Sequence, residues 1–339
     1  MDEKIYRGKT SKEVYELLVG CMHGLECDEC TIRMVLSLLK EPQLQYELIE
    51  WISKTMKERE PVEEEILSKA IEISVAEIKK EAEKRAIYKI ENGVGIIPEG
   101  ATEIVSGGFC GKRLTSVAIP DSVRIIREDA FGNTEGLVSI TIPVSVQDVD
   151  GMAFCGCADL ECIIVAEGNP VYDSREGCNA IIETAKNELI VGCMNTVIPS
   201  SVKIIGDSAF CCCYNLTSII IPEGVTIIGS SAFNVCTGLT SVNIPASVTT
   251  IEAGAFGCCD SLASVTISEN SQLTTIEEYA FNECENLISI NIPASVTVIE
   301  EDAFDFCDAL RRISVPVGMV EHFKRLLPEK LHEYIVEEN

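Results

Sequence analysis

"LTSVNIPASVTTIEAGAFGCCDS", residues 239–261, contains the pattern that decides the fold of this 339-residue chain. Leu239, Val242 and Ile244 form an apolar stripe that ends at Pro245, because proline has no N–H to donate to a β-sheet. Val248 and Ile251 then indicate a second short extended segment, and a compact turn begins at the Ala-Phe pair. One such unit cannot bury its own stripe, so the pattern predicts that copies stack on one another.

The Ala-Phe turn returns along the chain in steps of 22 to 25 residues, apart from one step of 56 between Phe154 and Phe210. A period near 23 residues is typical of leucine-rich repeats and too short for helix-pair repeats or propeller blades. The repeat phenylalanines are Phe109, Phe131, Phe154, Phe210, Phe233, Phe256, Phe281 and Phe304.

Cysteines recur three residues after the Phe, at Cys157, Cys213, Cys236, Cys259, Cys284 and Cys307. A buried cysteine packs as a small hydrophobe, so we interpret this position as part of a core that runs through the stack. In the triplet "CCC" at 211–213 only Cys213 holds the repeat position. We interpret Cys211 and Cys212 as its neighbours rather than as metal ligands, because the three histidines lie far away, at 23, 322 and 332.

Three segments lie outside the regular repeat. Residues 1–92 are rich in Lys and Glu with helical spacing, and predict a helical domain whose last helix runs through Ile87 and closes at "ENG", 91–93. The long step contains an insert, 168–197, in which "NAII" and "NELIV" indicate a hairpin. The solenoid is then expected to cover 93–315, and 316–339 to form the helical C-terminal cap that an open end needs.

The phrase "IPxSVxxIxxxAFxxCxxLxxVxIP" resembles the BspA-like leucine-rich repeats of bacteria, in copies such as "IPDSVRIIREDAF" and "IPASVTVIEEDAF". The resemblance covers about 95–339 and extends to the insert and the C-terminal segment of Bacteroides-type members. It implies a right-handed β-solenoid of about 23-residue coils, used for protein or surface binding. It brings no catalytic site, and its founding members are secreted or surface adhesins.

One group of soft metal ligands occurs near the start, in "CMHGLECDEC", residues 21–30. Cys21, His23, Cys27 and Cys30 have the ligand types of structural zinc. The alternative is a set of core cysteines with a surface histidine, since zinc sites usually join two separated ligand pairs. We expect no cofactor, with this zinc site as the alternative. No hydrolase arrangement or phosphate-binding loop is visible, so we expect the chain not to be an enzyme.

The formal net charge is −27, and residues 204–310 contain no Lys or Arg. Nucleic-acid phosphates and anionic lipids require the opposite sign, so neither is an expected partner. No apolar run is long enough to span a membrane. The start "MDEKIYRGKT" lacks the apolar part of a secretory leader, and the cysteine content favours a reducing compartment. We therefore expect a cytoplasmic location, with a secreted or surface location as the alternative.

A protein partner is expected to bind the solenoid. We interpret the acidic charge as a source of solubility for an elongated molecule, with steering of a basic partner as the alternative. Strand alternation turns small and hydroxyl-bearing residues outward, among them Ser218, Ser241, Asn243, Ser264 and Asn291. The alternative is that these rows are simply the residues that a tightly spaced parallel sheet tolerates, without a binding role.

In the insert, Tyr172, Asp173, Arg175 and Lys186 interrupt both the repeat and its charge pattern, and are candidates for a specific contact. The sequence as a whole predicts a non-catalytic protein-interaction scaffold. The alternatives are an adhesin and a zinc-dependent effector or enzyme acting through residues 1–92.

Overall fold

The computed structural model describes residues 84–85, 87–300 and 302–338. The chain divides into two compact units, Met1–Ala86 and Ile87–Asn339. The helices predicted for residues 1–83, together with Cys21, His23, Cys27 and Cys30, lie outside the described residues. The structure below is that of the second unit.

The first face of the solenoid consists of strands at the apolar stripe of the repeat, and in five of the seven strands this stripe ends at an Ile-Pro or Val-Pro motif. The first-face strands are β4 (Ser116–Val117), β6 (Ser139–Ile142), β8 (Cys162–Val165), β14 (Ser241–Ile244), β16 (Ser264–Ile267), β18 (Ser289–Asn291) and β20 (Arg312–Pro316). Strand β6 pairs in parallel with β8, and the strands from β14 to β20 pair in succession, at the same repeat position, with Ser241 opposite Ser264 and Ser264 opposite Ser289. Valine and isoleucine alternate inward along them, because side chains of a strand point to opposite faces.

The second face consists of two-residue strands, in each of which the second residue is buried. The second-face strands are β3 (Glu103–Ile104), β5 (Ile125–Ile126), β7 (Asp148–Val149), β12 (Ile204–Ile205), β13 (Ile227–Ile228), β15 (Thr250–Ile251), β17 (Thr275–Ile276) and β19 (Val298–Ile299). They also pair in parallel, one coil to the next. The solenoid predicted from the repeat is therefore confirmed.

The Ala-Phe turns connect the second face to the first and carry the centre of the core. The Phe256 ring stacks on Phe233 at 5.1 Å and on Phe281 at 5.4 Å between centroids, and is fully buried. In six of the eight repeats the Phe N–H donates to the alanine carbonyl of the following coil, as Phe233 does to Ala255 at 2.7 Å. The ring stack extends from Phe109 to Phe154 and again from Phe210 to Phe304.

The residue two positions after the Phe has a positive φ in every turn, including Cys212 (57°), Val235 (58°) and Cys258 (54°). Its N–H donates to the next coil, as Val235 N does to the Gly257 carbonyl at 2.8 Å. The hydrogen bonds along the stack therefore impose a left-handed conformation that a β-branched residue such as Val235 disfavours.

The insert contains β9 (Tyr172–Asp173), a 3-10 helix (Arg175–Gly177), β10 (Ile181–Glu183) and β11 (Glu188–Val191). Strands β10 and β11 are antiparallel, as the sequence indicates for this segment, and β11 pairs in parallel with β12. The insert therefore extends the second-face sheet that begins at β12, whereas β3, β5 and β7 form a separate sheet before the insert.

Gly192, just after the insert hairpin, takes the place of a repeat Phe. Its N–H donates to the carbonyl of Ala209 at 2.7 Å, which is the bond that a Phe makes in a regular turn. A Cβ at Gly192 would lie 2.1 Å from Cε1 of Phe210. The ring of Phe210 thus reaches into space that another ring would fill, and the core falls into two clusters at this level.

The end of the helix predicted through Ile87 and closed at 91–93 is wrong, although residues 84–85 are helical and the earlier part of that helix lies outside the described residues. Residues 89–96 instead form a hairpin of β1 (Lys89–Glu91) and β2 (Val94–Ile96), and β2 pairs with β4. Asn92 and Gly93 both have positive φ, which a type I′ hairpin turn requires and an Asn-Gly pair readily adopts. The predicted boundary between residues 92 and 93 falls inside this hairpin.

The C-terminal segment contains less helix than its sequence predicts. It has a short helix α1 (Val320–Phe323), a 3-10 helix (Glu329–Tyr334) and a final strand β21 (Ile335–Glu338). Strand β21 pairs in parallel with β20, because Ile335 and Val336 suit the unsatisfied edge of the first face. Phe323, Leu327 and Leu331 are buried against the core.

Candidate functional site

The predicted contact residues of the first face differ in their solvent exposure. Ser241 and Asn243 of β14 are exposed, and Ser264 of β16 is partly exposed. Ser218 is exposed but lies outside the described strands. The register of β14 and β16 sets Asn243 beside the exposed Thr266, so that these side chains share one surface.

Asn291 is held by the neighbouring coil. Its Oδ1 accepts from the N–H of Ile267 at 2.7 Å, and its Nδ2 donates to the Ile267 carbonyl at 2.6 Å. The amide therefore continues the sheet between β16 and β18, and its polar atoms are occupied by backbone.

Two aliphatic side chains stand out on the same outward row. Ile164 is 47% exposed and Ile220 is 84% exposed. They lie in the coils on either side of the insert, so the surface that is small and polar at β14 and β16 becomes apolar towards the insert.

The candidate residues of the insert mostly contact one another. Tyr172 is buried, and its hydroxyl accepts from the N–H of Val149 at 3.1 Å. Arg175 forms an ion pair with Asp173 at 2.6 Å, and its Nη1 also donates to Asn187. Burial opposes ionisation of Asp173, but hydrogen bonds from Arg175 and Thr184 outweigh it and lower the pKa of the carboxyl group. These contacts hold the insert in one conformation.

Lys186 is the most exposed charge of the predicted insert site. It pairs with Glu183 at 2.9 Å and Glu188 at 3.5 Å. The hydrogen bond that its amine donates to Glu183, together with the charges of Glu188 and Glu183, raises the pKa of Lys186. The structure thus brings Asp173 and Arg175 together, places Lys186 at the hairpin end, and removes Tyr172 from the surface.

The repeat cysteines form the core row that the sequence predicts. Cys236, Cys259 and Cys284 are fully buried. Each donates its thiol hydrogen to the Phe carbonyl of the preceding coil, as Cys259 does to Phe233 at 3.2 Å. Burial raises the pKa of the Cys157 thiol to about 11 and that of Cys307 to about 12. These thiols stay neutral and are poor nucleophiles.

Cys211 and Cys212 are more than neighbours of a core residue. The Cys211 sulfur lies 3.9 Å from the Cys155 sulfur and 3.7 Å from the Cys212 sulfur. All three lie within 4.8 Å of one another, and Cys212 is buried rather than partly exposed. Hydrogen bonding to Cys211 and Cys212, followed by burial, raises the pKa of the Cys155 thiol.

This thiol cluster was missed from the sequence because Cys155 and Cys211 lie 56 residues apart. A signal was nevertheless present. Both residues directly follow a repeat Phe, so they occupy the same position in the coils that flank the insert. Nothing in the spacing shows that the insert leaves those two turns in contact.

The fold defines the chain as a repeat protein with a parallel β-solenoid, and the Ala-Phe-x-x-Cys turn narrows the class. The model of the BspA type leucine rich repeat region matches six copies, over residues 97–175 and 193–324. The chain belongs to this family.

Several solved structures share the fold. A leucine rich cell surface protein from Faecalibacterium prausnitzii is 32% identical with a TM-score of 0.57, covering 68% of this chain and 61% of its own. The pneumococcal vaccine antigen PcpA is 20% identical with a TM-score of 0.50, covering 67% and 62%. The chain thus spans about three fifths of the length of these two proteins. No curated protein matches.

No helix within the described residues has the length and apolar character to cross a membrane.

Proposed function

We propose that the chain is a non-catalytic binding protein whose first face contacts another protein. The observation that carries this proposal is the in-register array of outward side chains on β14 and β16, centred on Asn243 and Thr266. Backbone hydrogen bonds between coils hold the array rigid, so binding does not require the surface to be ordered first.

The charge distribution supports a basic partner. No Lys or Arg occurs in residues 204–310, whereas acidic side chains occur throughout that range. An acidic surface steers a basic protein towards it, and this attraction weakens as salt is added.

The proposed location is the cell surface or the exterior rather than the cytoplasm. The support is the Faecalibacterium prausnitzii protein, which is 32% identical and described as a leucine rich cell surface protein. An adhesin and an interaction scaffold use the same face, so both fall within this proposal.

The proposal extends to the two ends of the chain. Of the predicted helical domain 1–92, residues 1–86 are proposed as largely helical, and residues 316–339 are proposed as a cap over the last coil, supported by the burial of Phe323 and Leu331. The right-handed winding rests on the family resemblance. Structural zinc at Cys21, His23, Cys27 and Cys30 remains the alternative role of the N-terminal cysteines.

In the test, the full chain and two double variants are used to capture proteins from envelope and lysate fractions. Quantitative mass spectrometry then identifies the captured proteins. Asn243→Arg with Thr266→Arg changes the first face. Gln272→Arg with Val298→Arg adds the same charge at exposed positions outside the first face. A shared set of proteins lost only with the first pair supports the proposal, and equal capture by both variants would refute it.

A further inference from the structure

A cavity lies at the level where Gly192 replaces a repeat Phe. It has a volume of about 10 Å³, which is the order of space needed for one water-sized guest. Its wall contains six cysteines: Cys155, Cys157, Cys193, Cys211, Cys212 and Cys213. The space is therefore too small for an organic ligand, and cysteines make up six of its fifteen lining residues.

The spacing of three of these sulfurs matches a metal coordination shell. Two ligands at the Zn–S distance of about 2.3 Å in tetrahedral geometry stand about 3.8 Å apart. The sulfurs of Cys155 and Cys211 are 3.9 Å apart, and those of Cys211 and Cys212 are 3.7 Å apart. A disulfide would instead require two sulfurs to approach to about 2.05 Å.

The backbone fixes these three side chains from two independent segments. Cys212 has a φ of 57°, held by its N–H bond to the Asn234 carbonyl of the next coil at 2.8 Å. The Cys155 carbonyl accepts from the N–H of Asn133 in the preceding coil at 2.8 Å. A preformed set of ligands on rigid elements lowers the ordering cost of binding an ion.

We propose that Cys155, Cys211 and Cys212 form a binding site for a thiophilic divalent ion, namely zinc. Binding replaces three S–H bonds with three Zn–S bonds and releases three protons, and a fourth position is left for water. No Lys, Arg or His lines the cavity. Zn²⁺ leaves one net negative charge on the three thiolates, whereas Cu⁺ leaves two, so burial favours the divalent ion.

Entry from solvent is available at one ligand. Cys155 and Cys212 are buried, at 8% and 5% exposure, whereas Cys211 is partly exposed. The ion links the coil before the insert to the coil after it, where the ring stack is interrupted.

The experiment uses the full chain with Cys27→Ser and Cys30→Ser, so that the N-terminal cysteines contribute no zinc. Matched pairs of variants are added to this background. Cys211→Ser is compared with Cys110→Ser, because both residues directly follow a repeat Phe and both are partly exposed. Cys212→Ser is compared with Cys258→Ser, because both occupy the left-handed position of the turn.

After loading with zinc and dialysis against a weak chelator, we expect one equivalent of zinc in the background protein, in Cys110→Ser and in Cys258→Ser. In Cys211→Ser and Cys212→Ser we expect affinity to fall roughly tenfold or more. Cobalt loading should give thiolate-to-cobalt absorption with the same dependence, and circular dichroism checks that each variant is folded.

Two results would overturn the proposal. One is equal zinc content in Cys211→Ser and Cys110→Ser, both being folded. The other is a Cys155–Cys211 or Cys155–Cys212 disulfide found by peptide mapping of the protein purified under thiol-blocking conditions.

Discussion

The regular turns around Phe233 and Phe256 differ from the junction between Phe154 and Phe210 in the side chains that fill the core. In the regular turns, rings stack at 5.1 Å and a cysteine thiol donates to the preceding Phe carbonyl. At the junction, the N–H of Gly192 still donates to the Ala209 carbonyl, but glycine supplies no ring. A small cavity lined by six cysteines lies there instead. A turn can thus lose its core side chain and still keep its hydrogen bond to the following coil, and chemistry other than packing becomes available there.

The largest expected effect is on the free energy of unfolding, when a ring inside the Phe stack is removed rather than a ring at the interruption. Phe256→Ala removes a ring that is stacked on both sides, and should lower the free energy of unfolding by about 3–5 kcal/mol. Phe154→Ala removes a ring that stacks on Phe131 and borders the cavity, so its cost should be smaller by roughly 1 kcal/mol. Urea unfolding of both variants measures the difference. Equal costs would show that the junction is packed as tightly as the stack.

Filling the junction is the second test. Gly192→Ala places a Cβ against the Phe210 ring and should cost about 1–3 kcal/mol of unfolding free energy. The control is the same change in a Phe210→Leu background, where the ring is absent and the cost should fall. A cost that does not depend on Phe210 contradicts this account of the junction.

A stabilising substitution tests the positive φ that occurs two residues after the Phe, both in the regular turns and at the junction. Val235→Asn replaces a β-branched residue at φ 58° with one that tolerates this conformation, and should raise stability by about 1 kcal/mol. Val298→Asn, at an exposed strand position, serves as the control and should bring no gain. Thermal unfolding separates the two, and equal shifts would mean that the left-handed turn carries no strain.

The smallest expected effect concerns the ion pair inside the insert. The pKa of Asp173 is lowered in the folded state, so its contribution is complete above the ordinary value of 3.8 and is lost as pH falls through the lowered pKa. Asp173→Asn should therefore be less stable at neutral pH by under about 1 kcal/mol, with the difference narrowing in acid. Urea midpoints across this pH range measure it. A stability difference that stays the same down to acid pH would contradict this account of the ion pair.

The repeat could be predicted in detail because it is local. The apolar stripe of the first-face strands, the Phe stack and the buried cysteines all follow from apolar spacing within one coil and its contacts with the next. The turn at Asn92–Gly93 was mistaken for a helix end because a glycine cap and a type I′ turn both require positive φ. Only pairing with β4 distinguishes them.

The sequence by itself determined the coil length, the residues that face inward and the family of the chain, since each depends on a period that any copy displays. The tertiary structure alone decided what the irregular segments do. In that structure Tyr172 is buried in the core and the Asn291 side chain is hydrogen-bonded to the backbone of Ile267. The Cys155 sulfur lies 3.9 Å from the Cys211 sulfur. Contacts across an insert depend on how its chain returns to the stack, and that path is set by long-range sheet pairing rather than by spacing along the chain.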